Sequence, residues 1–434
     1  MKTNLKPPVL KTHEGATAKH ISVEQELRRS VMACLLWESQ FYESGEEIAT
    51  RISRLCQLVP LEKLSALAIE ARSQMNLRHA PLWILREMAR HPQINKNPSI
   101  ISATITQTIQ RVDELTEFLS LYWKDGKTPI SAQVKKGLAG AFRKFNEYQF
   151  AKYNRDEAIK LRDVLFLTHS KPQTKEQEEL YKKLVDGKLE IPDTWEVALS
   201  TGKDKKETWE RLLSEKKLGA LAFLRNLRNM DAVGVSDSLI TEYARTLKTE
   251  RVLPFRFIAA ARIMPRFETM LEALMLKQEH AKLDGETILL VDVSGSMDQV
   301  LSEKSDMRRV DAACGLAILL REMTDNLRVY TFSNKLVEVP SRRGFALRDA
   351  INGSQEHSGT YLGKAVSDVM KKHPSARLIC ISDEQSHDPV PDPTHQRAYM
   401  LNVASNKNGV GYGAWKHVDG FSEQVVKWIT EFER

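Results

Sequence analysis

The chain reads as two structural classes in series, a long all-helical part followed by a doubly wound α/β domain. Three observations carry that reading. Residues 22–281 repeat apolar side chains at three- and four-residue spacing almost throughout, which is the period of an amphipathic helix. At Leu283-Asp284-Gly285 the pattern changes, and continuous apolar runs of strand length then alternate with helical segments. That alternation predicts a parallel sheet covered on both faces. Charge divides at the same place. Of 64 Lys+Arg and 57 Asp+Glu, residues 286–434 hold 18 and 20, so residues 1–285 hold 46 and 37 and carry all the positive excess.

In the helical part, VEQELRRSVMACLLW, EEIATRISRLCQLV, LEKLSALAIEARSQM and APLWILREMARH predict four successive helices. They are separated at Glu43-Ser44-Gly45, Val59-Pro60, Leu77-Arg78-His79 and His91-Pro92. Loops this short imply antiparallel neighbours, hence stacked helical hairpins. The period continues through ISATITQTIQRVDELTEFLSLYW, VKKGLAGAFRKF and DEAIKLRDVLFLTH, and later through LGALAFLRNLRNM, DSLITEYARTLK and PFRFIAAARIM. No strict repeat is present, but helix pairs at about 35–45 residues suit a HEAT-like α-solenoid. The last third predicts strands at ETILLVDVS, LRVYTFS, ARLICISD and AYMLNVAS. Helices are expected at about residues 308–324, at TYLGKAVSDVMKKH and at FSEQVVKWITEF. A ligand of such a domain sits at the carboxyl ends of the strands.

Composition bounds the function classes. Apolar residues at 42% and charged residues at 28% are ordinary for a soluble globular protein. No run of 18 or more apolar residues occurs, so no membrane span is expected. The N-terminal MKTNLKPPVLKTHEG has no apolar core of a secretory signal, which leads to the expectation of a cytoplasmic protein. Cys34, Cys56, Cys314 and Cys380 lack metal-ligand spacing and read as buried thiols in a reducing compartment. A net excess of positive charge in the helical part points to a polyanionic partner there.

The first strand ends in Asp292-Val293-Ser294-Gly295-Ser296-Met297. Alternate oxygen side chains at 292, 294 and 296 can converge beyond the strand end, and Gly295 allows a sharp turn. One carboxylate and two hydroxyls form a hard-oxygen set suited to a divalent metal ion, Mg²⁺ above all. Thr360, between a polar Gly/Ser loop and a helix, and Asp383, after the strand RLICIS, supply two further oxygen donors at the same sheet edge. His357 and His387 fall in loops and are expected to be solvent-exposed. With no nucleophile partner or general base evident, binding is favoured over hydrolysis. The five-residue arrangement resembles the metal-ion-dependent adhesion site of von Willebrand factor A domains, over residues 286–434. The resemblance implies an open coordination position filled by a carboxylate from a protein partner.

The densest basic and aromatic stretch is KKGLAGAFRKFNEYQFAKYNRDEAIKLRDVLFLTHSKP, residues 135–172. Lys135, Lys136, Arg143 and Lys144 form one candidate phosphate-contacting group. Asn154 and Glu157 have the spacing of a capping box, which predicts a helix starting at Arg155. That would place Lys152 and Arg155 at a positive helix end suited to phosphate, with His169 and Lys171 just past its far end. The plainer reading of all these residues is a solvated basic face.

This segment, the phrase LGALAFLRNLRNM and the metal-site domain behind them resemble the TROVE-domain family of the Ro autoantigen and its bacterial relatives, over residues 12–434. The resemblance implies a ring of HEAT-like repeats, residues 12–283, closed by the von Willebrand A-type domain, residues 286–434. It implies binding of small structured non-coding RNA (Y RNA) on a basic outer surface, and of single-stranded 3′ ends of misfolded RNA through the central hole. Lys152 and His169 fall on family positions that contact RNA. Arg155 only approximates a family arginine that lies one position later, where this chain has Asp156. Arg225 and Arg228 match a family helix and are taken as structural. The expectation is a non-catalytic RNA-binding protein of RNA quality control. Its rival is a metal-dependent protein-adhesion module on a helical scaffold. A metal-dependent nuclease is disfavoured, because no base or second carboxylate pair accompanies the site.

Overall fold

The computed structural model describes residues 9–32, 44–200, 202, 204–250, 252, 254–277, 282–301, 306–340, 342–404, 406–420, 428–430 and 433. It forms two compact units, one spanning Ala49–Thr208 and the other combining Met1–Ile48 with Trp209–Arg434.

The chain begins with α1 (Val23–Met32). The Ala49–Thr208 unit takes in most of α2 (Gly45–Cys56), then α3 (Leu61–Ser73), α4 (His79–Met88), α5 (Ser99–Thr108) and α6 (Asp113–Tyr122). It continues with α7 (Ala132–Phe142), α8 (Glu147–Tyr153), α9 (Leu161–Thr168), α10 (Lys175–Val185) and α11 (Trp195–Ser200). Helices two apart pack on each other, α3 on α5, α5 on α7, α7 on α9, and α4 on α6. Such i to i+2 packing is what stacked hairpins produce, each burying the apolar stripe of the one before. Two glycines set the closest approach. A Cβ at Gly137 of α7 would lie 2.7 Å from Cβ of Ile105 and 3.0 Å from Cα of Ser102, and one at Gly140 would lie 2.6 Å from the Thr106 hydroxyl.

The second unit carries most of α12 (Lys205–Ser214), then α13 (Ala220–Ala232), α14 (Asp237–Thr246), α15 (Pro254–Ile263) and α16 (Glu268–Met275). The α/β elements follow: β1 (Thr287–Asp292), α17 (Arg309–Met323), β2 (Leu327–Phe332), β3 (Leu336–Val339), α18 (Gly344–Asn352), α19 (Leu362–Lys372), β4 (Arg377–Ser382), β5 (Ala398–Asn402) and β6 (Lys416–Asp419). The six strands pair in the order β3-β2-β1-β4-β5-β6. All pairs are parallel except β2 with β3, which is antiparallel.

The sequence reading of a wholly parallel sheet is thus corrected at one edge. A hairpin turn at Ser333–Lys335 folds β3 back beside β2, and an antiparallel edge strand needs no crossover helix. Central strands β1, β4 and β5 are buried at every position, as fully covered parallel strands require. The last helix expected from sequence lies mostly outside the described residues, though 428–430 are helical. Cys56, Cys314 and Cys380 are free and buried, while Cys34 lies outside the described residues.

The switch from helices to sheet falls between Met275 and Thr287, where the sequence places it, yet packing unites the two sides. Gly315 of α17 lets the helix approach Pro254, whose Cβ would sit 3.0 Å from an added Cβ. Arg262 pairs with the buried Asp311, and the Phe345 N–H donates to the Glu272 carboxylate.

The N-terminal segment belongs to the same unit and closes over the carboxyl ends of the strands. The Thr12 hydroxyl donates to the Ser386 carbonyl at 2.7 Å, and the His13 N–H to the Gln385 side chain at 2.8 Å. From α1, Arg29 enters a fully buried cluster. It pairs with Glu384 at 3.0 Å and donates to the carbonyls of Asn406 and Asn408. His417 bonds Glu384 from the other side and stacks on Tyr412 with ring centroids 3.9 Å apart. Burial alone would push the Glu384 carboxyl up, but Arg29 and His417 overcome it and hold it at about 2.

Candidate metal centre and nucleic-acid interface

β1 lies between β2 and β4, so Asp292 at its end and Asp383 just past β4 emerge side by side. Asp292 accepts the Ser294 N–H at 2.8 Å and the Ser382 hydroxyl at 2.6 Å. After Ser294 the chain turns into a single 3-10 turn, Gly295–Asp298, and the Ser294 and Ser296 hydroxyls stand 3.3 Å apart. The Gly295 N–H donates to the Ser358 carbonyl, tying this turn to the loop that carries Thr360. All five sequence-predicted donors are buried, Ser296 most exposed at 8%.

The electrostatics of this pocket of oxygens favour a cation. Burial, and next the charge of Asp383, push the Asp292 carboxyl up to about 7. Two adjoining buried carboxylates are costly without positive charge between them. Arg309, itself buried, supplies some of it by pairing with Asp383 at 3.2 Å. No group of three or more His, Cys, Asp and Glu is placed to hold a metal ion among the described residues, so a metal here would rely on the serine and threonine hydroxyls. That donor chemistry, with two carboxylates and hydroxyls, fits a hard divalent ion.

The two loop histidines do other work. His387 accepts the Thr360 N–H through Nδ1 at 3.0 Å, and its Nε2 pairs with Glu14 of the N-terminal segment at 3.0 Å. His357 bonds Asp298 through Nδ1 and faces the Asn352 carbonyl through Nε2. It is half-buried rather than solvent-exposed as expected, because Asp298 of the 3-10 turn draws it inward.

In the helical unit, α7 is capped by the Ser131 hydroxyl, which accepts the Val134 N–H. Lys136, Arg143 and Lys144 come together on a groove of about 600 Å³ that also takes in Thr106, Gln107 and Gln173. Lys135 is on the same helix but not on that groove. Lys144 has a structural task as well. Its ammonium donates to the carbonyls of Thr106 and Ile109 at the carboxyl end of α5, where a cation offsets the helix dipole.

The expected helix start at Arg155 is wrong. The capping box is eight residues earlier, where Asn146 and Gln149 exchange bonds and start α8. Phe150 decides the matter, since it packs on Phe142 and Phe145 with centroids 4.7 and 6.2 Å apart. Residues 154–160 are not helical, and α9 begins at Leu161. Lys152 therefore sits in the last turn of α8, a negative helix end, and Arg155 sits in the exposed connection. His169 does lie at the far end of α9, as its left-handed cap with φ 51°, followed by the exposed Lys171.

Sequence reasoning missed the exposed aromatics beside these cations. Phe166, 57% exposed, shares the outer face of α9 with Arg162 and His169, and Tyr148 stands one turn before Lys152 on α8. The i, i+4 spacing of Arg162-Phe166 and Tyr148-Lys152 was the available signal. The Lys152 ammonium lies 5.7 Å from the ring of Tyr153, which Arg111 also faces at 4.9 Å.

Comparison with known proteins agrees with this architecture. Residues 184–312 match the TROVE domain, a span holding α13, α15 and Asp292, Ser294 and Ser296 but not the basic segment 135–171. The chain is 34% identical over 92 residues to telomerase protein component 1 of Rattus norvegicus, and equally to that of Mus musculus. Those 92 residues are 20% of this chain and only 4% of the relatives' length. The crystal structure of the Deinococcus radiodurans Ro (Rsr) protein superposes with a TM-score of 0.62 at 14% identity. The match covers 95% of this chain and 100% of that one. Residues 184–312 thus resemble the TROVE domain, and the chain has the fold of the Ro protein.

Proposed function

We propose that this protein binds RNA without catalysing its cleavage, holding small structured RNA of the Y RNA kind and single-stranded 3′ ends of misfolded RNA in RNA quality control. The observation that carries the reading is a TROVE domain within a Ro fold, with the positive excess confined to the part before the sheet. The Lys136, Arg143 and Lys144 groove offers phosphate contacts. Lys152, Arg155, His169 and Lys171 offer more, with Phe166 and Tyr148 as stacking surfaces for unpaired bases. No described helix is long and apolar enough to cross a membrane, and a cytoplasmic site of action accords with the buried free thiols. Residues 12–283 form the RNA-binding part in this reading, and residues 286–434 the von Willebrand A-type part.

Lys152→Glu and His169→Ala are expected to weaken binding of a structured hairpin RNA about tenfold each, the scale of a lost charge-assisted contact. Filter binding checks this, and unchanged affinity would remove both residues from the interface.

The metal site supports a second, compatible reading. Asp292, Ser294, Ser296, Thr360 and Asp383 would hold Mg²⁺, which when bound presents a Lewis-acidic position to a carboxylate of a protein partner. Titration calorimetry with Mg²⁺ is expected to show binding to the native protein and none to Asp292→Ala. Equal heats from both proteins would rule out this site. A pull-down lost in Asp292→Ala, in a protein that binds no RNA, would favour a metal-dependent adhesion module instead.

A further inference from the structure

Two helices of the second unit face each other across a cavity of about 240 Å³. α13 contributes Leu221, Arg225 and Arg228 at i, i+4 and i+7, and α15 contributes Arg256, Ala260 and Ile263 at the same spacing. Three guanidinium groups therefore share one pocket. None of the three forms an ion pair among the described residues, and Asp306 is the one carboxylate-bearing residue lining the pocket.

Several other arginines of this unit are matched by carboxylates. Arg262 pairs with Asp311, Arg266 with Asp231 and Asp237, Arg309 with Asp383, and Arg348 with Glu268. Burial, then the charge of Arg225, lower the Arg256 guanidinium from its usual range. An anion seated there would relieve both effects.

The mouth of the pocket gives a second, independent clue. Leu221 is 45% exposed and Ile263 48% exposed, beside a buried floor that includes Leu224 and Met264. The ligand thus needs a negatively charged group and an apolar face. Guanidinium forks match phosphate oxygens two at a time, and a nucleobase offers a flat face to aliphatic side chains. The volume is below the roughly 300–1,000 Å³ of sites for whole drug-sized ligands, so it suits one unit of a longer strand.

We propose that this pocket takes one nucleotide of single-stranded RNA, its phosphate on Arg225, Arg228 and Arg256 and its base against Leu221 and Ile263. The proposal rests on the RNA-binding reading above, but on residues remote in sequence from the basic segment 135–171.

The test is fluorescence anisotropy with a labelled ten-nucleotide oligouridylate and with a blunt hairpin RNA. Arg225→Ala/Arg228→Ala changes two exposed residues, so the fold should persist, and a thermal melt checks that it does. This variant is expected to bind oligouridylate at least about tenfold more weakly. Its slope of log K against log salt should be shallower by about 0.7, the share of the one single-strand phosphate the pocket holds. Hairpin binding should be unchanged, and Arg256→Ala should repeat the pattern. If the native protein binds both RNAs and the variants match it on oligouridylate, the pocket proposal is overturned and the RNA-binding reading stands. If the native protein binds neither, both fall together. If an oligoglutamate probe binds the native protein more tightly than oligouridylate and is lost in the same variants, the pocket docks an acidic protein segment and the proposal is overturned.

Discussion

Replacing Arg29 by alanine is expected to cost about 3–5 kcal/mol of stability, the scale for removing one partner of a buried ion pair. The reason is what remains. Glu384 is fully buried, and without the guanidinium at 3.0 Å only His417 and the Gly411 N–H still face its carboxylate. Glu384 also holds a left-handed backbone with φ 60°, an uncommon state for a residue with a side chain. The cluster therefore fixes the turn that follows Asp383, so losing it would loosen both the N-terminal segment and the candidate metal centre. Urea denaturation measures the loss. The double variant Arg29→Met/Glu384→Gln should regain part of it, because no buried charge is then left unpaired. A loss below about 1 kcal/mol for Arg29→Ala would mean the cluster is solvated and not a clasp.

Gly137→Val is expected to destabilise the helical unit by about 2–3 kcal/mol, through overpacking. A better helix former gains at most about 1 kcal/mol over glycine, so the clash wins. The neighbouring atoms include the Ser102 Cα at 3.0 Å, which is backbone and cannot swing aside. The two helices would have to separate, carrying with them Lys136 and Arg143 and the groove they line. Gly219→Ser is the contrast. An added Cβ there meets nothing within 4 Å and serine is a good helix cap, so the melting temperature should hold or rise slightly. If Gly137→Val melts like the native protein, α5 and α7 are not packed this closely.

Some of this was legible in the sequence and some was not, for physical reasons that differ by element. β1 announced itself because a buried parallel strand must be apolar at every position, and Ile288–Val291 leave no other use for themselves. β3 and β6 were missed, since LVEV and KHVD are short and half-exposed and show neither a run nor a clean alternation. α18 was missed for a similar reason, being short and following the basic Arg342-Arg343.

The capping box was sought at Asn154 when an equally good one stood at Asn146. Only the anchoring of Phe150 among other rings separates the two, and that contact is tertiary. The five candidate metal-site residues were proposed from topology, because Asp292 ends β1 and Asp383 follows β4 at one sheet edge. The three arginines of the α13–α15 pocket could not be found that way. Arg225 and Arg256 are 31 positions apart, and only helix packing brings them together. In the same way, nothing in the segment around Arg29 declares its distant partner at Glu384.

The most direct test of the central claim is the affinity of the native protein for a hairpin RNA with a single-stranded 3′ tail, measured across a salt series. The account predicts binding at low salt that weakens linearly in log K against log salt, with a slope of about 0.7–0.9 per phosphate contacted. No binding at low salt, or an affinity indifferent to salt, would contradict it.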